Sequence, residues 1–395
     1  MKIYVIGGYV RDKLMKRQPH DKDYVVVGAT VEEMLRLGFK QVGKDFPVFL
    51  HKNTKEEYAL ARKEIKTGDK HTDFAFEFSP DITLKEDCLR RDFTINALAL
   101  DEQTGEIIDY FGGREDIINR QIRIIDEKGF KQDPLRILRA CRFAATLDFD
   151  ITPDSKRILM QMVKSGMLQH LTVERVWIEM QKSLQKNTNS AKFFTVLSEI
   201  GGLIEIFPEF ASSTSEKSLE NTKYCLSNIK EQDEICKWAV FCINQLCFDK
   251  GKNDNGADII KLINKRLKTP KEYLNFSLMF YNTYPQLAKF SAINVSEKYD
   301  LVKTISNNFK DETRLHKILC CFKACCFEKK CDIESIKNYK NICDNIIAIY
   351  RKLHNFTPKK FSLSQQQELK QKQGKEKGEY CKTIMMALLV EEKLA

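Results

Sequence analysis

The sequence lacks any apolar run of about 18 residues, the length that a membrane-spanning helix requires. Residues 1–6 read as a β-strand and show neither the charged segment nor the apolar segment of a secretory signal. Internal repeats and extended low-complexity tracts are absent as well, which excludes a repeat architecture. We therefore expect a cytoplasmic protein without a membrane segment, and the sequence indicates no stable protein partner.

The thirteen cysteines include a dense cluster that contains no Cys-x-x-Cys pair. Its members are Cys320, Cys321, Cys325, Cys326 and Cys331. Cys321 and Cys325 are spaced for one face of a helix, where a free cysteine behaves as a small apolar residue. In a chain without a secretory signal, this pattern predicts reduced thiols, with a structural zinc site as the alternative.

The charge balance is positive. With 395 residues, of which 43% are apolar, the chain can bury several cores, and we expect about two to four domains. There are 65 lysines and arginines against 55 acidic residues, for a formal net charge of +10. Such a balance favours a polyanionic partner, although it is also common in lysine-rich proteomes.

The most informative segment is Gly7-Gly8-Tyr9-Val10-Arg11-Asp12, followed by Asp21-Lys22-Asp23. A glycine pair that closes an apolar strand lets backbone N–H groups approach a polyphosphate, and Arg11 can donate to phosphate oxygens as a fork. If residues 21–27 form a strand, its period of two puts Asp21 and Asp23 on one face. Two such carboxylates, with nucleotide phosphates, form a site suited to Mg²⁺. Two solvated aspartates at a strand edge are the alternative.

With these residues, the chain resembles the bacterial class II tRNA nucleotidyltransferases, the CCA-adding enzymes of the polymerase-β-like superfamily. The resemblance is close up to about residue 205 and then thins to general helical character. Its blocks are residues 7–12, Asp21 and Asp23, and residues 43–50, 57–62, 90–97, 133–140 and 174–175. The resemblance implies an α+β fold, with a small mixed β-sheet head followed by an all-α neck, body and tail.

The residue patterns are consistent with this division. Short β-rich runs occur up to about residue 125, at residues 2–6, 23–27, 48–50, 58–61, 97–101 and 106–109, and helical spacing dominates from Asp133 onward. We expect a catalytic head over residues 1–125, a helical neck with base recognition over 126–205, and a helical body and tail that binds tRNA over 206–395. Residues 66–73 are polar, as expected of a mobile loop that the family needs to switch from CTP to ATP.

A polar stripe is predicted on the helix that follows Gln132. Its members recur every third residue and are Asp133, Arg136, Arg139 and Arg142. Such a stripe is usually a solvated face. The resemblance implies instead a protein template for the base, because a carboxylate and a guanidinium together match the amino group and ring nitrogen of both cytosine and adenine. Uracil and guanine present the reversed pattern and would be rejected. Gln132 stands where the family usually has a glutamate.

Two further residues are candidates for the site. The resemblance implies that Arg91 contacts the nucleotide; in the alternative, it pairs with a surface carboxylate while Asp92 and Asn96 satisfy a turn. Glu57 is either a third carboxylate that assists the incoming 3′-hydroxyl or a surface glutamate on an edge strand. Glu174 and Arg175 resemble a family block and are interpreted as scaffold.

These residues predict template-independent addition and repair of the 3′-terminal CCA of tRNA from CTP and ATP, with release of pyrophosphate. Asp21 and Asp23 are the candidate Mg²⁺ ligands, and Glu57 completes the catalytic set. The candidate nucleotide-binding residues are Gly8, Arg11, Arg91, Asp133, Arg136, Arg139 and Arg142. The acceptor and T-arm of tRNA are expected to contact lysines near the end of the chain, Lys359, Lys360, Lys370, Lys372, Lys375 and Lys377.

Two other functions remain possible on the same fold, a bacterial poly(A) polymerase and a catalytically silent RNA-binding protein. The glycine turn begins at residue 7, from which we expect no N-terminal extension, and residues 43–50 favour the CCA-adding enzymes. Intact Asp21 and Asp23 argue against a silent protein. Some relatives carry a His-Asp phosphohydrolase domain, but after His170 this chain has only His316 and His354. We therefore predict no functional phosphohydrolase site.

Overall fold

The computed structural model describes residues 1–19, 21–42, 48–66, 74–211, 216–229, 233–246, 255–326, 333–356 and 358–391. The chain divides into two compact units, and the first comprises Met1–Met180 with Lys192–Ile206. The second comprises Gln181–Ala191 with Phe207–Ala395. None of the helices in the described ranges combines the length and apolar character needed to cross a membrane. Most of the predicted mobile loop, residues 67–73, and five residues of the block at 43–50 lie outside the described residues.

Eleven strands are described in the first unit, and seven of them form one mixed sheet. The strands are β1 (Lys2–Ile6), β2 (Asp23–Val27), β3 (Lys40–Val42), β4 (Val48–Leu50), β5 (Glu57–Leu60), β6 (Arg62–Lys66), β7 (Phe74–Phe78), β8 (Ala99–Leu100), β9 (Ile107–Ile108), β10 (Gln121–Ile122) and β11 (Asp150–Ile151). The large sheet has the order β3-β4-β5-β2-β1-β8-β9. β6 and β7 pair antiparallel, and β10 and β11 pair parallel.

The centre of the sheet is built from the most β-branched segments, KIYVI in β1 and DYVVV in β2. Successive side chains point to opposite faces, so that Val5 and Val26 join one apolar cluster whereas Tyr4 and Val25 join another. Both faces of the sheet are therefore covered, and the polar residues that matter for chemistry lie at strand ends.

The register at one end of the sheet places two of the candidate carboxylates side by side. β1 pairs antiparallel with β2 so that Ile6 lies opposite Asp23, and β2 pairs parallel with β5 so that Asp23 lies beside Glu57. β5 is flanked by β4 and β2, so Glu57 is not on an edge strand, and that part of the alternative is wrong. The strand predicted at residues 21–27 begins only at Asp23, and Asp21 precedes it.

Some helices of the first unit begin at recognisable capping residues. The helices of this unit are α1 (Gly8–Leu14), α2 (Val31–Arg36), α3 (Leu84–Leu89), α4 (Gly113–Ile118), α5 (Glu127–Phe130), α6 (Leu135–Leu147), α7 (Pro153–Lys164), α8 (Val173–Leu184), α9 (Ser190–Glu199) and α10 (Gly202–Ile206). Thr30 and Thr83 form capping boxes with the glutamates three residues later, and Pro153 opens α7. The last residues of α8 and the first of α9 belong to the second unit.

One predicted strand is partly wrong. The run after Arg91 begins as a 3₁₀ turn, Thr94–Asn96, and only Ala99–Leu100 of the predicted 97–101 strand is β. Thr94 donates to the Asp116 carboxylate and Asn96 donates to Asp92. These side-chain hydrogen bonds stabilise the turn locally and compete with an extended ladder.

The second unit is helical in all its described parts. Its helices are α11 (Glu216–Asn228), α12 (Glu234–Leu246), α13 (Gly256–Leu267), α14 (Lys271–Ala288), α15 (Val295–Ile305), α16 (Glu312–Cys326), α17 (Ile333–His354), α18 (Leu363–Gln371) and α19 (Gly374–Glu391), with 3₁₀ turns at Pro208–Phe210 and Pro358–Lys360. Phe207, Trp238 and Phe241 form an aromatic core with ring centroids 5.1–6.1 Å apart. The whole architecture confirms the predicted α+β class, a small mixed sheet followed by helices.

The cysteine cluster lies on α16. Cys321, Cys325 and Cys326 are buried thiols outside any disulfide, and burial raises the pKa of the Cys321 thiol well above its ordinary value. Within the described ranges no three histidine, cysteine or acidic side chains form a group that could hold a metal ion. Here the cysteines act as apolar packing residues, whereas Cys331 lies outside the described residues.

Candidate active site

A polar cleft of about 590 Å³ lies within the first unit. Eight of the ten predicted site residues line it, namely Gly8, Arg11, Asp23, Arg91, Asp133, Arg136, Arg139 and Arg142. The other two, Asp21 and Glu57, are exposed and are not part of its lining. The cleft also contains Gly7, Arg62, Arg90, Asp92, Asn96, Leu135, Phe143 and Arg175, so that eight arginines and three aspartates surround one space. This concentration of guanidinium groups suits a highly anionic ligand.

The glycine turn forms one wall of the cleft. Gly7 has φ 82°, in the left-handed region that favours glycine, and its N–H donates to the Leu98 carbonyl at 3.1 Å. A Cβ at Gly7 would lie 3.4 Å from Nη1 of Arg91, and a Cβ at Gly8 would lie 3.5 Å from Nη2 of Arg11. The two glycines thus leave space where arginines approach the backbone.

The carboxylates at the end of β2 are coupled to one another. Burial in the cleft raises the pKa of Asp23; Arg91 opposes this rise, while Glu57 and Asp21 add to it. Oxygen ligands of this kind fit a hard divalent cation, which usually takes one or two carboxylates and fills its remaining positions with phosphate and water. The donor set of Asp21 and Asp23 therefore fits such an ion. The prediction that Asp21 and Asp23 share one face of a strand does not apply, because Asp21 lies ahead of β2.

Arg11 is held by polar partners on both sides. Its Nε donates to Asp12 Oδ1 at 2.9 Å, and its Nη1 donates to Asn96 Oδ1 at 2.6 Å. Asn96 in turn donates to Asp92 Oδ1 at 3.0 Å. Arg139 completes the chain by donating to Asp92 Oδ2 from Nε at 2.8 Å and from Nη2 at 2.6 Å. A hydrogen-bonded chain thereby links α1, which follows the glycine turn, to the polar stripe on α6.

The charge of the Asp92 carboxyl group depends on its ion pair with Arg139. Burial by itself raises the pKa of Asp92, but Arg139, Asn96 and Arg136 together outweigh burial and hold that pKa below its ordinary value. The Asp92 side chain is only 7% exposed. Asp92 is therefore a structural acceptor in the cleft wall, which agrees with the interpretation in which it satisfies a turn.

The polar stripe of α6 is not a solvated face. Asp133 caps the helix by accepting from the Leu135 N–H at 3.0 Å, and both its oxygens accept from Arg175 Nη2 at 3.2 Å. Arg136 is buried and donates to the carbonyls of Gly129 and Arg90 at 3.1 and 2.7 Å. The stripe therefore forms one wall of the cleft and is tied to the segments around it.

Phe143 lies beneath three of the arginines. The guanidinium carbons of Arg142, Arg139 and Arg11 lie 4.1, 5.3 and 5.4 Å from its ring centroid. Arg142 also donates from Nε to Glu179 Oε2 at 2.5 Å. An apolar ring inside the cleft thus packs arginines that approach it from two helices.

Several functional positions were missed by sequence reasoning. Arg62, Arg90 and Phe143 line the cleft, and Arg175, interpreted as scaffold, lines it as well. Arg175 and Glu179 are four residues apart on α8; Arg175 contacts Asp133, just ahead of α6, and Glu179 contacts Arg142 on α6. That spacing was the signal available in the sequence, since two opposite charges on one helical face can pair with two residues of a neighbouring helix.

Comparisons with known proteins identify the family of the chain. Residues 3–123 match the model of the Poly A polymerase head domain. The chain is 43% identical over 279 residues to the Multifunctional CCA protein of Actinobacillus pleuropneumoniae serotype 5b, covering 66% of each chain. It is 37% identical over 348 residues to the Multifunctional CCA protein of Vibrio vulnificus strain YJ016, covering 82% of this chain and 84% of the relative.

A solved structure shares the fold. The Thermotoga maritima CCA-adding enzyme complexed with tRNA_CCA superimposes with a TM-score of 0.67 at 24% identity, covering 98% of this chain and 87% of that one. Nucleotidyltransferases of this kind generally use a divalent metal ion. Since the chain spans most of the Vibrio vulnificus relative at 37% identity, it belongs to the family of CCA-adding tRNA nucleotidyltransferases.

Proposed function

We propose that this chain adds and repairs the 3′-terminal CCA of tRNA from CTP and ATP, without a nucleic-acid template and with release of pyrophosphate. The observation that carries the proposal is the cleft itself, where the glycine turn, Asp23, Arg91 and the stripe on α6 line one space. The names of its relatives support the product, because a CCA end contains only cytidine and adenosine.

In this proposal Asp21 and Asp23 hold Mg²⁺. The support is the electrostatic coupling of the two carboxylates, together with the preference of a hard divalent cation for oxygen ligands. When bound, the ion stabilises the charge that develops on the attacking and leaving oxygens of an in-line displacement. Gly8, Arg11 and Arg91 accommodate the triphosphate, whose negative charge matches the arginines around the cleft.

The transfer itself joins a tRNA 3′-oxygen to the α-phosphorus of the nucleotide. The bond from that phosphorus to the bridging oxygen of the β-phosphate breaks, and pyrophosphate leaves with the bonding electrons. The proton of the 3′-hydroxyl passes to Glu57, which lies beside Asp23 in the sheet register. Glu57 suits this role because it is exposed at the end of β5 and has access to a substrate that arrives from solvent.

Base selection is assigned to the wall that α6 contributes. Asp133 accepts from the exocyclic amino group, and the guanidiniums of the stripe donate to the ring nitrogen. Arg136, Arg139 and Arg142 each have a protein partner that fixes their orientation. A preorganised site that leaves polar groups unpaired with the wrong base can discriminate strongly, by roughly 10⁴–10⁵.

The second unit is assigned to tRNA binding. Five of the six candidate lysines are exposed on the final turns and helices, whereas Lys372 pairs with Glu368 and Glu376. Phosphate contacts of exposed lysines read the shape of the RNA and not its sequence. The cytoplasmic location remains a prediction.

We also infer that the second unit lacks phosphohydrolase activity. His316 pairs with Glu312 on its own helix at 3.5 Å, and His354 bonds the Phe309 carbonyl at 2.6 Å. Incubation with 2′,3′-cyclic nucleotides and a divalent metal should release no product, and metal-dependent turnover would contradict this inference.

One assay tests the main proposal. Purified protein is incubated with Mg²⁺, tRNA that lacks its CCA end, and labelled CTP, ATP, UTP or GTP, separately and together. Addition of two cytidines and one adenosine, followed by a stop, supports the proposal. A long adenosine ladder indicates a poly(A) polymerase, to which the matching head domain also belongs by name, and binding without incorporation indicates a silent RNA-binding protein.

The Asp21→Ala and Asp23→Ala variants provide the matched chemical test. Each should lose incorporation almost completely, while thermal unfolding stays close to that of the parent protein because both side chains are exposed. Asp81→Ala, another exposed aspartate in the first unit, is the control and should retain full activity. Retained turnover in the double alanine variant would reject the metal assignment.

A further inference from the structure

Asp87 is a carboxylate buried behind the cleft. It lies on α3 with 0% of its surface exposed and does not line the cleft. Its Oδ1 accepts from the Arg62 backbone N–H at 3.3 Å and from Arg90 Nε and Nη2 at 2.9 and 2.6 Å. Its Oδ2 accepts from Arg91 Nη2 at 3.2 Å. The Asp87 carboxylate thus accepts hydrogen bonds from the backbone of one arginine and from the guanidinium groups of two others.

All three of these arginines line the cleft. Arg62, Arg90 and Arg91 contribute to the same wall as the glycine turn. Eight arginines around one space repel one another in the absence of an anionic ligand, and only three aspartates line the cleft with them. A buried negative charge behind the cleft, such as the Asp87 carboxylate, reduces this repulsion between the arginines before the ligand binds.

The Arg91 guanidinium depends on Asp87. In the described contacts it makes one hydrogen bond, to Asp87, and its Nε is buried without a partner. Its Nη1 packs against Gly7, where a Cβ would come within 3.4 Å. Loss of Asp87 would therefore remove the one described hydrogen bond that orients this guanidinium.

The protonation state of Asp87 supports this assignment. Burial raises the pKa of Asp87, but Arg91, Arg90 and the hydrogen bond from the Arg62 N–H together outweigh that effect and hold the pKa of Asp87 below its ordinary value. Asp87 is therefore an anion at neutral pH, and its charge is shared between the two guanidiniums.

We propose that Asp87 is a positioning residue that orients Arg91 against the glycine turn for contact with the nucleotide triphosphate. This inference rests on the proposed function, because it names what holds one arm of that site. Asp87 itself does not touch the ligand. Since CTP and ATP share the triphosphate, loss of Asp87 weakens both nucleotides equally and leaves the selection between bases intact.

The test measures binding by calorimetry, which needs no turnover, with inorganic tripolyphosphate and with cytidine as separate probes. Asp87→Asn keeps the volume of the side chain but replaces one acceptor oxygen with a donor. We expect the Kd of tripolyphosphate to rise at least about tenfold, as for loss of a hydrogen bond between charged groups. The Kd of cytidine should stay within about twofold, because this probe has no phosphate.

Asp116→Asn is the matched control. Asp116 is 7% exposed and pairs with Arg123 and Thr94, but it does not line the cleft or contact a residue of the stripe. It should lower thermal stability as D87N does while leaving tripolyphosphate binding unchanged. In an Arg91→Ala background, D87N should weaken tripolyphosphate no further, because the residue it orients is already absent.

The outcomes separate the two proposals. An unchanged Kd in D87N, an equal effect in D116N, or an undiminished effect in the R91A background overturns the role of Asp87. Failure of the unmodified protein to extend tRNA overturns the proposed function and leaves these binding constants measurable. If D87N does not fold, Asp87→Ser carries the same expectation, and failure of both variants to fold assigns Asp87 to stability alone.

Discussion

Asp92→Asn removes the charge that neutralises Arg139 inside the first unit. Asp92 accepts from the Phe93 N–H at 2.8 Å, from Asn96 at 3.0 Å, and from two nitrogens of Arg139 at 2.8 and 2.6 Å. An asparagine retains one acceptor oxygen, which can keep the bonds to Phe93 and Asn96. The two bonds from Arg139 then cannot form, and a half-buried guanidinium is left without its partner.

The structure indicates how large the loss should be. Removing one partner of a buried ion pair typically costs about 3–5 kcal/mol. The Arg139 side chain is still 32% exposed, so water can solvate part of the freed charge and the cost should lie near the lower limit. We expect a loss of about 3 kcal/mol in the free energy of unfolding, which corresponds to a Tm lower by about 6–12 °C for a unit of this size.

The effect should depend on pH in a defined direction. The folded-state pKa of Asp92 is below its ordinary value, so the ion pair stabilises the fold fully above the unfolded pKa of about 3.9. That contribution is lost as the pH falls through the folded-state pKa. The stability difference between the parent protein and D92N should therefore be constant near neutrality and should shrink in acid.

Urea unfolding followed by circular dichroism measures both effects. A second variant, Asp92→Asn combined with Arg139→Met, keeps an acceptor for Phe93 and Asn96 and removes the unpaired charge, so it should recover part of the stability that D92N loses. The double variant should nevertheless lose nucleotide incorporation, since Arg139 lines the cleft. Equal stability of D92N and the parent protein, or a difference that grows in acid, would refute the reasoning.

Three further outcomes are expected elsewhere in the molecule. Gly113→Ala would drive a Cβ into the Thr94 carbonyl and should cost about 1–3 kcal/mol in thermal or urea unfolding, whereas Gly378→Ala, with no atom within 4 Å, should be neutral or slightly stabilising. Glu179→Gln leaves the Arg142 guanidinium, 12% exposed, without its anion, and should lower kcat/KM for CTP about tenfold or more, while Glu199→Gln, in an exposed pair with Lys156, should not. Replacing the candidate lysines by glutamine should reduce the slope of log affinity for tRNA against log salt by about 0.7–0.9 for each phosphate that a lysine no longer neutralises. The variant with all six substitutions replaces Lys359, Lys360, Lys370, Lys372, Lys375 and Lys377. If its salt slope equals that of the parent protein, the proposed role of these lysines is rejected.

The strands of the first unit show which parts of the fold local sequence patterns can predict. β1 and β4 were predicted at their observed bounds, because their apolar runs are short, β-rich and ended by polar or glycine residues. The β-rich run at residues 23–27 matches β2, but the longer strand over 21–27 that would place both aspartates on one face does not. β3, β6 and β7 were not predicted. In β6, RKEIK, charged residues dominate, and its pairing with β7 involves partners up to 16 residues apart, from Arg62 to Phe78. Local composition does not encode such pairing.

The candidate site shows the same division. Gly8, Asp23, Arg91 and Asp133 were selected from motif and spacing, and the structure brings them to one cleft. Sequence spacing could not show that Arg136 is buried against two backbone carbonyls, because those acceptors come from the segments at Gly129 and Arg90. Nor could it show that β4 covers the other side of β5 and so places Glu57 inside the sheet, since strand order is set by pairing and not by proximity along the chain.

The sequence by itself determined the class of fold, the glycine turn, the pair of aspartates and the arginine stripe, because each is encoded in residue types a few positions apart. Only the tertiary structure decided how the arginines are neutralised. Asp92 and Arg139 are 47 residues apart. Asp87 and Arg91 are four residues apart, a spacing that permits a pair, but only the fold shows that Asp87 is fully buried behind the cleft. The physical reason is that a buried charge requires a partner in three dimensions, and folding chooses that partner by packing.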